Sequence, residues 1–221
     1  MKKLIFVSTG RCGTKRIAEI LKEKLPDDQY VVVHQMRFSR LANIIGNLIF
    51  YIKESDLIKQ VLYSLVIARY KKGMNFISSD PLTAMVVPSK YINSSDVFIV
   101  HIVRDDKSFA KSMFYFSRSR LKSLIAHNLI PLWQPGIWPF ENLFNKNILR
   151  KYEKVSAIKN KFFFERYSSS PNYYQVKMKD LFTTNLLQEI SNEWFNVNIS
   201  VSANDLNRKA NESIPFTYRK R

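Results

Sequence analysis

The chain has 221 residues and carries 35 lysines and arginines against 18 aspartates and glutamates, a formal net charge of +17. This charge predicts an anionic partner such as a nucleotide, a nucleic acid, an acidic glycan or an anionic lipid. The cations are spread along the chain, and no zinc-ligand spacing, RNA-binding aromatic signature or basic zipper accompanies them, so specific nucleic-acid binding is not expected. With 46% hydrophobic residues, the chain can bury one sizeable core, and we expect a single domain over residues 1–221.

The number of cysteines and the lengths of the apolar runs help to predict the cellular compartment of the protein. The one cysteine, Cys12, excludes an internal disulfide framework and is typical of a reducing compartment. The chain begins Met-Lys-Lys, as secretory signals do, but the apolar run that follows ends at Val7, which is too short for a signal-peptide core. The longest apolar candidate for a membrane span, 41–52, is interrupted by asparagine and glycine. We therefore predict a cytoplasmic protein without a transmembrane segment.

The start of the chain has the pattern of a strand, a tight loop and a helix. An apolar run, Leu4 to Val7, precedes a loop of glycines, hydroxyl residues and cations, and apolar residues then recur at helical spacing. Glycines let the loop curl with its N–H groups turned inward, and the helix N-terminus adds unpaired donors and the positive end of its dipole. This combination predicts a phosphate-binding loop; the alternative is an ordinary turn with a capping threonine. The candidate binding residues are Thr9, Gly10, Arg11, Cys12, Gly13, Thr14 and Lys15.

Strand-like and helix-like segments alternate along the rest of the chain. The predicted strands are 4–7, 30–34, 75–78, 97–103 and 173–176, and the predicted helices are 17–25, 38–52, 56–71, a brief run from 82, 108–127, 141–167 and 181–194. This order predicts an α/β fold with a central, mostly parallel sheet flanked by helices, and the most continuous apolar strand, 97–103, is expected at its centre. Ligands gather at the carboxyl ends of such strands. The loop 8–14, His34, Ser79–Asp80 and Arg104 are therefore candidates for one crevice.

The loop departs from the two commonest nucleotide-binding motifs. A triphosphate P-loop ends Gly-Lys-Ser/Thr, whereas here Gly13 is followed by Thr14, Lys15 and Arg16, so the magnesium-binding hydroxyl is missing. A dinucleotide fingerprint requires three glycines, and only Gly10 and Gly13 are present. The run Arg11 to Thr14 instead resembles the 5′-phosphosulfate loop of sulfotransferases that use 3′-phosphoadenosine 5′-phosphosulfate (PAPS), in which Lys or Arg and a small residue precede Gly-Thr.

A second stretch carries the same resemblance. Arg104 follows the apolar strand 97–103, and Ser112 lies eight residues further on. These positions match the Arg and Ser that clamp the 3′-phosphate in PAPS-dependent sulfotransferases. An arginine offers phosphate a planar fork of donors, and a serine adds a short hydroxyl donor. Asp106 stands where most members of the family have proline, a difference that concerns helix entry. The resemblance implies a P-loop-like nucleotide-binding fold with PAPS as cosubstrate and no required metal.

The resemblance also implies the reaction, the transfer of a sulfuryl group to a hydroxyl or amine, with an anionic glycan or glycolipid among the candidate acceptors. Arg11 would stabilise the charge that develops on the leaving phosphate. Family members place a base after the second or near the third strand, so His34 and Asp80 both remain candidates. We favour His34 because its ordinary pKa lies near the working pH. Two late cations, Arg208 and Lys209, are further candidates for nucleotide contacts, with a solvated basic tail as the alternative.

Other interpretations stay open at this point. The loop also suits a P-loop-type kinase that acts on a small molecule, and the charge suits a basic anion-binding module without catalysis. The helix 56–71 has an apolar face beside cations, so peripheral contact with an anionic membrane is an alternative to core packing, which we prefer. The proline- and tryptophan-rich stretch 130–140 is predicted to be either a lid or a packed connector.

Overall fold

The computed structural model describes residues 1–68, 70, 73–119, 121–128, 134–140, 146–183 and 185–207. Their centre is one five-stranded sheet in which all pairs are parallel, with the strand order β2-β3-β1-β4-β5. The strands are β1 (Lys3–Ser8), β2 (Tyr30–Val33), β3 (Asn75–Ser78), β4 (Val97–Val103) and β5 (Tyr173–Lys177). The predicted α/β architecture with a parallel central sheet is confirmed.

Helices connect the strands. They are α1 (Thr14–Lys24), α2 (Ser39–Ile52), α3 (Asp56–Ile67), α4 (Ser89–Ile92), α5 (Asp106–Ser117), α6 (Leu121–Asn128), α7 (Ile148–Tyr167), α8 (Met178–Leu181), α9 (Leu186–Phe195) and α10 (Ala203–Asn207). The brief helical run predicted from residue 82 is a single 3₁₀ turn, Pro81–Thr83. Among the described residues, no helix combines the length and the apolar character that crossing a membrane requires.

The alternation of side chains along β1 separates two core layers. Leu4 and Phe6 pack on one face of the sheet, with α1 and α9, while Ile5 and Val7 pack on the other face, with α3 and α7. Because successive strand residues point to opposite faces, a fully apolar β1 fills both layers at once. The sheet is therefore covered on both sides, and its strand ends remain as the place where loops can hold a ligand.

The expected position of the most continuous strand was wrong. β1 lies at the centre, and β4 lies between β1 and the edge strand β5. Both strands are buried on each face. A continuous apolar run therefore predicts an interior strand, but it does not distinguish the central strand from its interior neighbour. The neighbouring positions of β1 and β4 matter for the site, because their carboxyl ends open side by side.

Two predicted helices also differ from the structure. The segment 108–127 forms α5 and α6 with a break after Ser117, where the Ser117 and Ser119 hydroxyls donate to the Phe114 and Phe116 carbonyls at 3.1 and 2.8 Å. Such bonds from side chain to backbone compete with the helical ladder and end it. The helix predicted from 141 begins as α7 after Asn147, whose Oδ1 accepts from the Arg150 amide at 3.1 Å; residues 141–145 lie outside the described residues.

One close contact between α2 and the segment that follows β3 occurs at a glycine. A Cβ atom on Gly46 would lie 2.8 Å from the Met85 Cβ and 2.9 Å from a methyl carbon of Val86. Neither contact atom is the end of a flexible chain, so any larger residue at 46 pushes α2 away from the segment that follows β3.

We predict that Gly46→Val lowers the free energy of unfolding by roughly 2 kcal/mol or more, because overpacking in a filled core typically costs 1–3 kcal/mol. Chemical denaturation measures this difference. The matched control is Ser64→Val on the exposed side of α3, which should change stability little. A Gly46→Val protein as stable as the control would contradict the packing described here.

Candidate functional site

The site is built where β1 and β4 end. The two strands are parallel neighbours, with Ser8 paired to Ile102, so the loop after β1 lies beside the residues that follow β4. Arg104 Nη1 donates to the Arg11 carbonyl at 2.6 Å, and Arg11 Nε donates to Ser112 Oγ at 3.2 Å. Three residues that the sequence singled out, from three separate segments, are thus in direct contact.

The loop after β1 has a backbone that only a few residue types adopt easily. Gly10, Arg11 and Gly13 have φ values of 82°, 56° and 76°. Glycine takes this region freely, whereas a side chain such as that of Arg11 is strained there, a feature that clusters at ligand sites. Ser8 Oγ accepts from the Gly10 amide at 3.2 Å and supports the curl.

The loop leads directly into the N-terminus of α1. The N-cap of α1 is Gly13, and no side chain makes a capping bond there, so the alternative of a turn with a capping threonine is wrong. The first helical bond runs from the Ile17 amide to the Gly13 carbonyl at 3.1 Å. Because the amides of the first turn precede that bond, they and the positive end of the helix dipole are directed at the space above the loop. The arrangement can hold a phosphate.

The electrostatics of the site are dominated by two arginines. Arg11 and Arg104 are both partly buried. Burial lowers the pKa of each, and the charge of Arg104 lowers the pKa of Arg11 further. In the described part of the chain, neither guanidinium forms an ion pair with a carboxylate; the adjacent Asp105 instead caps α5, accepting from the Ser108 amide at 2.9 Å. Two desolvated like charges are costly, and a bound anion relieves that cost.

The other predicted loop residues divide into packed and exposed positions. Thr9 and Thr14 are buried, and Cys12 Sγ donates to the Gly10 carbonyl at 3.1 Å. Burial raises the pKa of the Cys12 thiol, so the sulfur is a neutral packing element. Lys15 projects from α1 beside Glu19, with 3.5 Å between Nζ and Oε1, and its side chain is 46% exposed.

The two candidate bases have different surroundings. His34 follows β2, and its Nδ1 lies 2.9 Å from the Ser79 carbonyl. A carbonyl only accepts, so Nδ1 carries the proton in the neutral ring, and Nε2 keeps its lone pair. Asp80 is 1% exposed and accepts from the Met36 amide at 2.7 Å and the Leu82 amide at 3.0 Å. Burial raises the pKa of Asp80. Both of its oxygens are engaged with backbone amides, one in the segment after β2 and one in the segment after β3.

The segment 134–138 approaches the loop at Pro135. A Cβ on Gly10 would lie 3.1 Å from Pro135 Cγ. Lys159, on α7 and 1% exposed, donates from Nζ to the Pro135 carbonyl at 2.7 Å and to Gln134 Oε1 at 3.1 Å. Asn43 Nδ2 donates to the Gln134 carbonyl at 2.9 Å. The stretch 130–140 was predicted to be either a lid or a packed connector. Its described part, 134–140, is packed as a connector would be.

Sequence patterns missed several residues that shape the site. The Arg11 guanidinium stacks 4.5 Å from the Phe116 ring centroid, and a Cβ on Gly13 would meet the Phe182 ring at 2.5 Å. Phe116 and Lys159 occupy ordinary helical positions, and no local motif marks them. Pro135 did lie in a stretch that was singled out for its composition.

The late basic residues cannot be related to the site directly, because Arg208 and Lys209 lie outside the described residues. The segment just before them is tied to α1. Arg16 donates from Nε and Nη2 to the Asp205 carbonyl at 3.1 and 2.8 Å, and Lys24 Nζ lies 3.3 Å from Asp205 Oδ2. Over the residues described, no group of three or more His, Cys, Asp or Glu side chains is arranged to hold a metal ion.

Comparison with known proteins gives structural likeness alone. No protein-family model and no curated protein matches the sequence. The chain is similar to a solved sulfotransferase from Alicyclobacillus acidocaldarius, at 12% identity and a TM-score of 0.47, over 100% of this chain and 86% of that one. It is also similar to the sulfotransferase domain from the curacin biosynthetic pathway, at 12% identity and a TM-score of 0.44, over 93% of this chain and 76% of that one.

The buried Lys159 predicts a pH dependence of stability. Burial lowers its pKa from 10.5 to about 7, so between these values the unfolded chain binds more protons than the folded chain and stability rises with pH. Replacing the ammonium removes this contribution. We expect the free energy of unfolding of the wild type, relative to Lys159→Met, to increase by roughly 3 kcal/mol from about pH 7 to about pH 10.

Urea denaturation at the two pH values measures this change. Lys161→Met is the matched control, because Lys161 is exposed on the same helix, beside Glu165. A difference between wild type and Lys159→Met that stays constant with pH would show that Lys159 is charged in the folded protein throughout this range.

Proposed function

We propose that this protein is a sulfotransferase that moves a sulfuryl group from PAPS to a hydroxyl or amine. The observation that carries the proposal is the pair of partly buried guanidiniums, Arg11 and Arg104, which contact each other through the Arg11 carbonyl and lack a carboxylate partner among the described residues. Such a pair requires anions, and PAPS carries one anionic group at each of two positions of its ribose.

The two anionic groups of PAPS suit different halves of the site. The amides of the loop and of the first turn of α1, with Arg11, suit the 5′-phosphosulfate. Arg104 and Ser112 suit the 3′-phosphate, since both contact Arg11 and so flank one space. Ser112 Oγ accepts from Arg11 and keeps its own proton to donate to a phosphate oxygen.

The reaction proposed for this arrangement is an in-line displacement at sulfur. A bond forms from the acceptor oxygen or nitrogen to sulfur as the bond from sulfur to the bridging oxygen breaks, leaving adenosine 3′,5′-bisphosphate. The acceptor proton passes to Nε2 of His34, and Arg11 with the loop amides neutralises the charge that develops on the departing phosphate. With the cations doing this work, the scheme needs no metal. The net charge of +17 favours an anionic glycan or glycolipid as acceptor.

The Arg104 and Ser112 pair makes a prediction about nucleotide choice. Adenosine 3′,5′-bisphosphate should bind more tightly than ADP, which lacks the 3′-phosphate. Arg104→Ala should cost roughly 2 kcal/mol more of bisphosphate affinity than of ADP affinity, because ADP loses only the support that Arg104 gives to the Arg11 carbonyl, whereas the bisphosphate also loses a charge-assisted contact. Calorimetry measures both, with Arg150→Ala, on the exposed side of α7, as the control. Equal affinities of the wild type for the two nucleotides would sink the assignment.

Thermal shifts separate the sulfotransferase from the kinase alternative in the same samples. A kinase needs Mg²⁺ to bind a triphosphate productively. Stabilisation by the bisphosphate should survive EDTA, gain little from magnesium and fall as salt rises. If ATP with magnesium stabilised the protein and the bisphosphate did not, the kinase would be the better assignment.

The assignment of the base is tested by substitution. His34→Ala should lower turnover by on the order of a hundredfold or more while bisphosphate binding persists, because it removes the proton acceptor and leaves the phosphate contacts. Turnover is followed by transfer of labelled sulfuryl from PAPS to hydroxyl and amine acceptors. Asp80→Asn should act mainly on thermal stability, since its oxygens accept two buried amides. Loss of turnover in Asp80→Asn at unchanged stability, with His34→Ala active, would assign the base to Asp80.

A further inference from the structure

Helices α2 and α3 expose an unusual amount of apolar surface. Ile52 is 82% exposed and Leu57 71% exposed, at the two ends of the short connection between the helices. The stripe residues are Leu41, Leu48 and Ile52 on α2, and Leu57, Val61 and Leu65 on α3. Their spacing puts each set along one side of its helix, opposite the side that packs on the protein. The core packing that the sequence analysis preferred for the apolar face of helix 56–71 was therefore wrong, because α3 packs through Tyr63 and Val66 and leaves that face in solvent. Together we call these two stripes the α2–α3 face.

Cations surround the α2–α3 face. Arg37, Arg40, Lys53 and Lys90 are exposed beside it, and Lys90 lines an open groove together with the α3 stripe. The acidic groups at the connection are engaged. Glu54 is bonded to Lys59 and Arg166, and Asp56 Oδ1 accepts from the Ser89 amide at 2.8 Å and the Ser89 hydroxyl at 2.9 Å. The face is therefore apolar in its middle and positive at its edge.

We propose that the α2–α3 face docks on an anionic phospholipid bilayer. An interfacial helix buries aliphatic side chains among the acyl chains while its cations meet the headgroups, which is the division seen here. The net charge of +17 adds long-range attraction to the same surface. This proposal is independent of the proposed function.

Two other occupants fit the face less well. A second copy of the chain would bring the same four cations together, against the repulsion of two molecules of charge +17. A protein partner is usually held by aromatic and arginine anchors in fitted pockets. The stripes instead offer Leu, Ile and Val side chains that project into solvent, and Leu65 at the far end of α3 is still 59% exposed.

Docking in this way has a consequence for the site. α2 begins five residues after His34, and Met36, between them, is fixed by Asp80 at 2.7 Å. The start of the face is therefore close in sequence to the strand-end crevice, and one hydrogen bond ties the intervening segment to that crevice. A protein docked through this face would hold the crevice near the lipid surface.

Vesicle co-sedimentation tests the proposal with the full chain. We expect binding to phosphatidylcholine vesicles that contain a third phosphatidylglycerol and little binding to pure phosphatidylcholine. The variant Leu57→Gln/Leu65→Gln keeps the net charge and removes two exposed apolar groups, so it should bind the anionic vesicles at least tenfold more weakly. The matched control is Leu149→Gln, an exposed leucine on α7, which should bind as the wild type does.

Three outcomes would overturn the proposal. Equal vesicle binding by the wild type and the double variant would mean attraction by charge alone. No vesicle binding by the wild type would exclude the bilayer outright. A dimer in light scattering that the double variant abolishes, without vesicle binding, would assign the face to self-association. Thermal unfolding without ligand shows in parallel that each variant is folded. The shift of the unfolding temperature by adenosine 3′,5′-bisphosphate bears only on the proposed function.

Discussion

The hydrogen bond from Arg104 to the Arg11 carbonyl is the contact on which the site depends. It joins the end of β4 to the loop after β1 at 2.6 Å, and it holds Arg11 in a backbone region that a side chain disfavours. The bond exists because β1 and β4 are parallel neighbours, so their ends advance together. The strain in the loop is thus balanced by a charge-assisted bond that the sheet itself provides. The candidate anion site therefore depends directly on the order of the strands in the sheet.

The same region concentrates positive charge in a partly dry environment. Burial, reinforced by Lys159 and Arg11, lowers the pKa of His127 to about 4, so this histidine is neutral at ordinary pH. Among the described residues, the Lys159 ammonium donates to a carbonyl and to an amide oxygen, and no carboxylate pairs with it. An arrangement of this kind is less stable than a core of matched charges, and an anion that bound the folded protein there would stabilise it by mass action. Binding of the proposed nucleotide would therefore be thermodynamically linked to folding.

Much of the fold and of the candidate site was predictable from local sequence patterns. The strand, loop and helix at residues 4–25 are close in sequence and were predicted from local patterns. The rule that ligands bind at the carboxyl ends of parallel strands predicted that Arg104 and Arg11 lie close together. Strand order was not predictable, because two equally apolar strands compete for the centre. Lys159 reaches the loop from a distant helix, and only tertiary packing reveals it. His34 was preferred to Asp80 on its ordinary pKa alone, and the hydrogen-bond partners that distinguish the surroundings of the two residues are not encoded in sequence spacing.

Cys12 has a consequence of another kind. It is the only cysteine of the chain, it is wholly buried, and it lies in the middle of the loop proposed to bind the 5′-phosphosulfate. A thiol reagent can reach it only when the loop opens, so the rate of labelling reads the opening equilibrium of that loop in the native protein. Cys12 can therefore report local unfolding of the loop without any substitution. A ligand bound to the loop would slow the labelling of this thiol.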